Sequence, residues 1–191
     1  MDEIIRTNLN NLRSEDRVLQ NKAFFAILEA TAEPVDWAYA AWDGLLADLR
    51  HKDNRVRAIV AQVLCNLAKS DPDKRMLKDF PDLLAVTRDE RFVTARHCLQ
   101  ALWKVGAAGG EQQQLVVDGL AARFKECATE KNCTLIRYDI IQDLRNLYEV
   151  VKDEAIKEKA LELVASEEDL KYRKKYAGVW KDRKKSSPLT P

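Results

Sequence analysis

Residues 45–69 read LLADLRHKDNRVRAIVAQVLCNLAK, and their apolar positions fall into two stripes. Leu45, Leu46 and Leu49 form the first. Val56, Val60, Val63, Leu64 and Leu67 form the second, at the i, i+4, i+7, i+8, i+11 spacing of one buried helix face. The polar segment His51–Asn54 separates them, so the stretch predicts two amphipathic helices joined by a turn. The same pattern recurs. Moved by 38 positions, VAQVLCNLA falls on CLQALWKVG, residues 98–106; moved by a further 42 it falls on IIQDLRNLY, residues 140–148. Gln62, Gln100 and Gln142 coincide, as do Leu64, Leu102 and Leu144, and Arg57 falls on Arg137. Leu28 lies 36 positions before Leu64, and Trp180 lies 36 after Leu144. A period of this length is the mark of stacked two-helix units, each burying its apolar face on the next.

The pattern predicts five helix pairs: residues 2–12 with 15–32, 35–50 with 54–69, 73–86 with 91–105, 111–127 with 133–151, and 154–165 with 167–183. Punctuation agrees. Ser14 and Asp53 are placed as N-caps, Pro34 as the opening of the third helix, and Ser70-Asp71-Pro72 as a cap followed by proline in the first turn. Pro81 predicts a kink or break near Phe80. Gly106 and Gly109-Gly110 close the third pair, and Ser166-Glu167-Glu168-Asp169 opens the last helix. Residues 184–191, KKSSPLTP, read as a disordered tail. No strand-like alternation of useful length occurs.

The segment LLADLRHKDNRVRAIVAQVLCNLA resembles a HEAT repeat: a leucine-rich first helix, an acidic turn, and a second helix opening Val-Arg and continuing with small residues and leucine. Residues 41–69 carry the resemblance most fully. Residues 80–106, with Thr94-Ala95 in place of Val-Arg, and residues 115–148 carry it in part, and the two ends would be divergent caps. The resemblance implies an all-α, right-handed α-α superhelix, a HEAT-like solenoid of about five antiparallel pairs (2–32, 35–69, 72–106, 110–151, 154–183). It implies no single activity.

Composition narrows the class. With 46% apolar and 33% charged residues, six glycines and five prolines, the 191-residue chain suits a helical globular protein. No apolar run is long enough to span a membrane, and the acidic start MDEIIRTNLN does not read as a signal peptide, so a cytoplasmic, monomeric protein is expected. Cys65, Cys98, Cys127 and Cys133 show no paired metal-ligand spacing. They read as reduced thiols, with a bridge between Cys127 and Cys133 left open. Phosphate-loop, dinucleotide, zinc-protease and serine-hydrolase motifs are absent, and no cofactor, metal or catalytic residue is expected.

Charge is unevenly spread. Residues 171–185 hold eight Lys/Arg and one Asp, or +7; the chain total is +1, which leaves −6 for the remainder. The basic residues Lys171, Arg173, Lys174, Lys175 and Lys181 surround Tyr172, Tyr176 and Trp180, an aromatic i, i+4, i+8 stripe expected to cap the open end of the core. In the HEAT-like register the second helices line the concave face, and their non-core positions form ladders: Gln62/Gln100/Gln142, Asn66/Lys104/Asn146, Ala58/Arg96/Tyr138, Ile59/His97/Asp139 and Cys65/Trp103/Arg145. The expected contact residues are therefore Gln62, Arg96, Gln100, Trp103, Lys104, Tyr138, Gln142 and Arg145. The leading expectation is a non-enzymatic scaffold that holds a protein or peptide partner on this face. An alternative is nucleic-acid binding, since HEAT-like alkylpurine DNA glycosylases are similar in size and architecture; Trp103, Tyr138, Asp139 and Arg145 would supply the residue types. The acidic remainder of the chain weighs against a duplex binder. A lesser alternative is a bilin-lyase-like helper.

Overall fold

The computed structural model describes residues 1–181, and among these every regular element is a helix. The α-helices are α1 (Glu3–Asn11), α2 (Arg17–Ala30), α3 (Ala38–Asp48), α4 (Asn54–Leu67), α5 (Arg75–Ala85), α6 (Phe92–Leu99), α7 (Trp103–Gly106), α8 (Gly110–Glu126), α9 (Cys133–Val151), α10 (Glu154–Ala165) and α11 (Leu170–Ala177). Short 3-10 turns prolong α4, α5, α8 and α11. The expected tail, 184–191, and the last two residues of the expected final helix lie outside the described residues.

The helices fall into two layers. α3, α5, α8 and α10 pack on one another in that order; so do α2, α4, the α6–α7 pair, α9 and α11. Contacts of α1 with α2, α3 with α4, α8 with α7 and α9, and α10 with α9 and α11 join the layers. α4 lies in the middle and is buried on nearly all sides, including Ala58, Ile59 and Cys65. The repeated leucine position is buried at Leu64, Leu102 and Leu144, and Trp180 fills it in the last repeat.

Polar ties between successive helices of one layer keep close to the sequence period. Asn66 donates to the Thr31 hydroxyl 35 residues back, Trp42 Nε1 to Asp79 37 residues on, and the Tyr176 hydroxyl to the Thr134 carbonyl 42 residues back. Gly106 is required by close approach: a Cβ there would stand 2.8 Å from a methyl of the buried Leu147.

Several expected boundaries move. The N-cap of α2 is Asp16, not Ser14. Its carboxylate accepts the Val18 and Leu19 amides, while the Ser14 hydroxyl accepts the Asp16 amide. Asp53 does cap α4, whereas the last helix, expected from Glu167, starts at Leu170 with Asp169 as its N-cap, its carboxylate accepting the Lys171 and Tyr172 amides. α3 starts at Ala38 rather than at Pro34. Pro72 is not in the first turn of α5; Lys74, in the left-handed region (φ 55°), precedes it, and the Asp71 carboxylate reaches forward to the Arg75 and Met76 amides. α5 runs through Pro81 without the expected break. Burying Phe80 and Leu83 beside it, at about 1.5–3 kcal/mol each, offsets the roughly 3 kcal/mol of an interior proline. The expected single helix over 91–105 is instead divided at Gln100–Leu102 into α6 and α7.

Candidate functional site

The exposed side of the second layer carries three clefts. The first, about 510 Å³, lies across α2, α4 and α6 and is lined by Phe24, Phe25, Arg55, Gln62, Val93 and His97 among others. The second, also about 510 Å³, lies where α2, α4, α7 and α9 converge; Leu28, Asn66, Lys69, Trp103, Lys104 and Val150 line it. The third, about 680 Å³, is bounded by Tyr138, Gln142, Arg145 and Asn146 of α9 and by Lys175 and Lys181 at the far end. Leu28 of α2 and Val150 of α9, far apart in sequence, line the same cleft.

The expected contact residues distribute over these clefts, with two exceptions. Gln62 lines the first and donates 2.9 Å to the Ala58 carbonyl one turn back. Trp103 and Lys104 line the second; Lys104 Nζ sits 5.8 Å from the Trp103 ring centroid and donates to Asn66 at 2.6 Å. Burial lowers the Lys104 pKa. Tyr138, Gln142 and Arg145 line the third, where Arg145 pairs with Glu149 and lies 5.2 Å from the Trp180 ring. Arg96 and Gln100 are the exceptions. Arg96 makes a bidentate pair with Asp139, at 2.6 and 2.9 Å, and Gln100 donates to the same carboxylate at 3.2 Å. The hydrogen bonds from Arg96 to Asp139 raise the Arg96 pKa. These two residues tie α6 to α9.

The expected ladders are incomplete as surfaces. Ala58, Ile59, Cys65 and Asp139 are buried, because α4 and the middle of α9 are covered on both sides. The basic patch also divides. Lys175 lies 4.8 Å over the Tyr138 ring and, with Lys181, faces the third cleft. Arg173 is spent locally on the Glu167 carbonyl, Lys171 lies over Tyr172, and Lys174 is exposed. The aromatic stripe does close the core: Tyr176 is fully buried between Phe124 and Tyr138, and Trp180 packs on Tyr148.

Sequence reasoning missed Phe25, Arg55, Lys69, Val93 and Val150. Phe25 is 64%, Val93 63% and Val150 56% exposed, a high figure for side chains of this kind. Phe25 stands 36 positions before the fully buried Ala61, so the repeat register argued for a core residue. α2 heads its layer, with α4 on one side only, and the position is left open. Partial burial and the Arg96 and Arg55 charges lower the His97 pKa, which keeps its imidazole neutral near pH 7.

Asp143 departs most from the repeat. It occupies the place of Val63 and Ala101, is fully buried, and neither carboxylate oxygen has a hydrogen-bond partner among the described residues. Burial pushes its pKa well up; the Trp103 amide and Lys104 favour the charge, the amide without reaching hydrogen-bond geometry. Cys127 and Cys133 stand 3.5 Å apart, sulfur to sulfur, as free thiols. Among the described residues no cluster of His, Cys, Asp or Glu forms a metal site, and no helix is long and apolar enough to cross a membrane.

No protein-family model matches the sequence, and no curated protein matches it. The fold is similar to the crystal structure of an engineered protein, a Northeast Structural Genomics Consortium target. The TM-score is 0.54, with 20% identity, over 94% of this chain and 78% of that one. The likeness concerns the helical fold alone.

Proposed function

We propose that the two layers form a HEAT-like, right-handed α-solenoid of five helix pairs, and that the protein is a monomeric, cytoplasmic interaction module whose concave second-helix face holds a segment of a partner protein. One observation carries this reading: the convergence of α2, α4, α7 and α9 on a single cleft with Trp103 half-buried at its wall and Val150 exposed at its edge. Aromatic and apolar side chains left open in a concavity, ringed by polar groups, are what an interface core requires. The two charged residues that the glycosylase-like reading would draw on are already engaged. Asp139 is 2% exposed and held by Arg96, and Arg145 is paired with Glu149.

The test is co-precipitation from native lysate with wild type and with a Phe25→Ser/Trp103→Ala/Gln142→Ala variant of equal helicity. Gln142 is included because its amide lies in the third cleft and, among the described residues, bonds only to Asn146, one turn on. Loss of the same protein partner with the variant, with nuclease present, is expected. Unchanged recovery would refute the face.

A further inference from the structure

Seven cationic side chains and two carboxylates line the three clefts: Arg17, Arg55, Lys69, Lys104, Arg145, Lys175 and Lys181 against Asp53 and Glu149. That is a surplus of five in a chain whose total is +1, so everything outside the clefts sums to −4. Both carboxylates are already matched, Asp53 by Arg17 at 2.8 Å and Glu149 by Arg145 and Lys152. The other five cations make no ion pair among the described residues. Arg55 donates to the Asn21 amide oxygen, Lys69 to the Ala32 carbonyl, Lys104 to Asn66, and Lys175 lies over a tyrosine ring. In the first-helix layer, by contrast, several cations are matched by carboxylates of the neighbouring helix or turn. There Arg75 pairs with Asp43, Arg50 with Asp82, Lys74 with Glu111 and Arg88 with Glu126.

Cations held by neutral acceptors in a groove leave their field uncompensated, and low-dielectric walls concentrate it. Between them stand open apolar groups: Phe25 and Val93 beside Arg55, and Val150 and Trp103 beside Lys69 and Lys104. A nucleic-acid backbone asks for an unbroken row of cations. Here the cations alternate with apolar surface, which suits a polypeptide with carboxylates and apolar side chains in turn.

We infer that the second-helix face takes an acidic, amphipathic peptide segment, its apolar side chains in the first and second clefts and its carboxylates on Arg55, Lys69, Lys104, Lys175 and Lys181. This rests on the interaction-module reading and names its partner class. Helices pack 8–10 Å apart, so five of them span about 40 Å, the reach of about 12 extended residues.

The experiment is selection of a phage library of random peptides, about 16 residues long, on the immobilised full chain, followed by fluorescence anisotropy with the enriched sequences. Net-acidic sequences with two or more large apolar residues are expected. Their affinity falls as salt rises. It falls at least about tenfold in Arg55→Glu/Lys69→Glu/Lys175→Glu, and also in the milder Lys69→Gln/Lys175→Gln, should the first variant fold poorly. Neutral or basic sequences that still lose binding on Phe25→Ser would overturn the acidic partner and leave the interaction face standing. No enrichment, or enriched peptides indifferent to every variant, would overturn the proposal. Tight binding of a labelled single-stranded oligonucleotide, together with no peptide, would overturn the interaction-module reading as well.

Discussion

Asp143 shows how much one residue can depart from a repeat. The chain places Val63 and Ala101 at its register position, and the neighbouring positions Leu64, Leu102 and Leu144 are all buried. A carboxyl there has no hydrogen bond among the described residues and keeps its proton well above the ordinary carboxylate range. Its folded pKa exceeds its unfolded one, so folding takes up a proton and stability falls as pH rises from about 4 toward the folded value. Asp143→Asn is therefore expected to raise stability by about 1–3 kcal/mol near pH 7, and the gain should vanish below about pH 4. Urea unfolding at both pH values measures it; a loss of stability at neutral pH would show that the carboxylate has a partner. The thiols give a second expectation at this scale. Cys65, Cys98 and Cys127 are fully buried, and Cys127 is pushed up to about 12 by burial and by its contact with Cys133. Cys133 is partly exposed, so iodoacetamide should label it first in the folded protein, as peptide mass mapping would show. Gly106→Ala should cost about 1–3 kcal/mol, because Leu147 must move from a filled site.

Between elements, the turn residues do the joining. Arg57, at the start of α4, donates to the His51 carbonyl of its own turn and makes a bidentate pair with Asp89 of the next, at 2.6 and 2.8 Å. Arg137, in α9, repeats this with the Phe124 carbonyl and Glu167. Arg57 and Asp89 side chains are 13% and 6% exposed. Burial alone would raise Asp89, but the Arg57 hydrogen bonds, the Arg91 amide and the charges of both arginines together outweigh it and hold the carboxyl below the ordinary range. Its contribution is thus present above about pH 4 and lost as pH falls through the folded value. Arg57→Ala should cost about 3 kcal/mol in chemical denaturation at pH 7, and the cost should shrink in acid. At this scale the helices were legible in the sequence and their ends were less so. Apolar periodicity reports burial along a whole face, whereas a cap depends on which of several neighbouring oxygens reaches an amide. Ser14 and Asp16 compete for one helix start, and the carboxylate takes it. The break between α6 and α7 had no proline or glycine to announce it.

Across the whole molecule, the period of 36 to 42 residues in the sequence returns as the separation of the polar ties and as two packed layers. The all-helical class was legible because an apolar stripe at helical spacing recurs along the chain. The candidate face was legible only in part. Register shows which positions are equivalent but not which of them a neighbouring helix covers, so Cys65 is sealed while Trp103 and Arg145 at the same position line clefts. The unpaired cations depend on where carboxylates from distant repeats fall, which no local pattern displays. The central claim is that the second-helix face, rather than surface hydrophobicity in general, meets the partner. Photo-crosslinking in native lysate tests it most directly, with a benzophenone amino acid placed at Phe25, Val93 or Val150 in the clefts, and at Ile4 or Leu161 outside them. All five positions are exposed. The account expects one common adduct from the three cleft positions and none from the two others; adducts of equal yield from both sets, or from Ile4 and Leu161 alone, would contradict it.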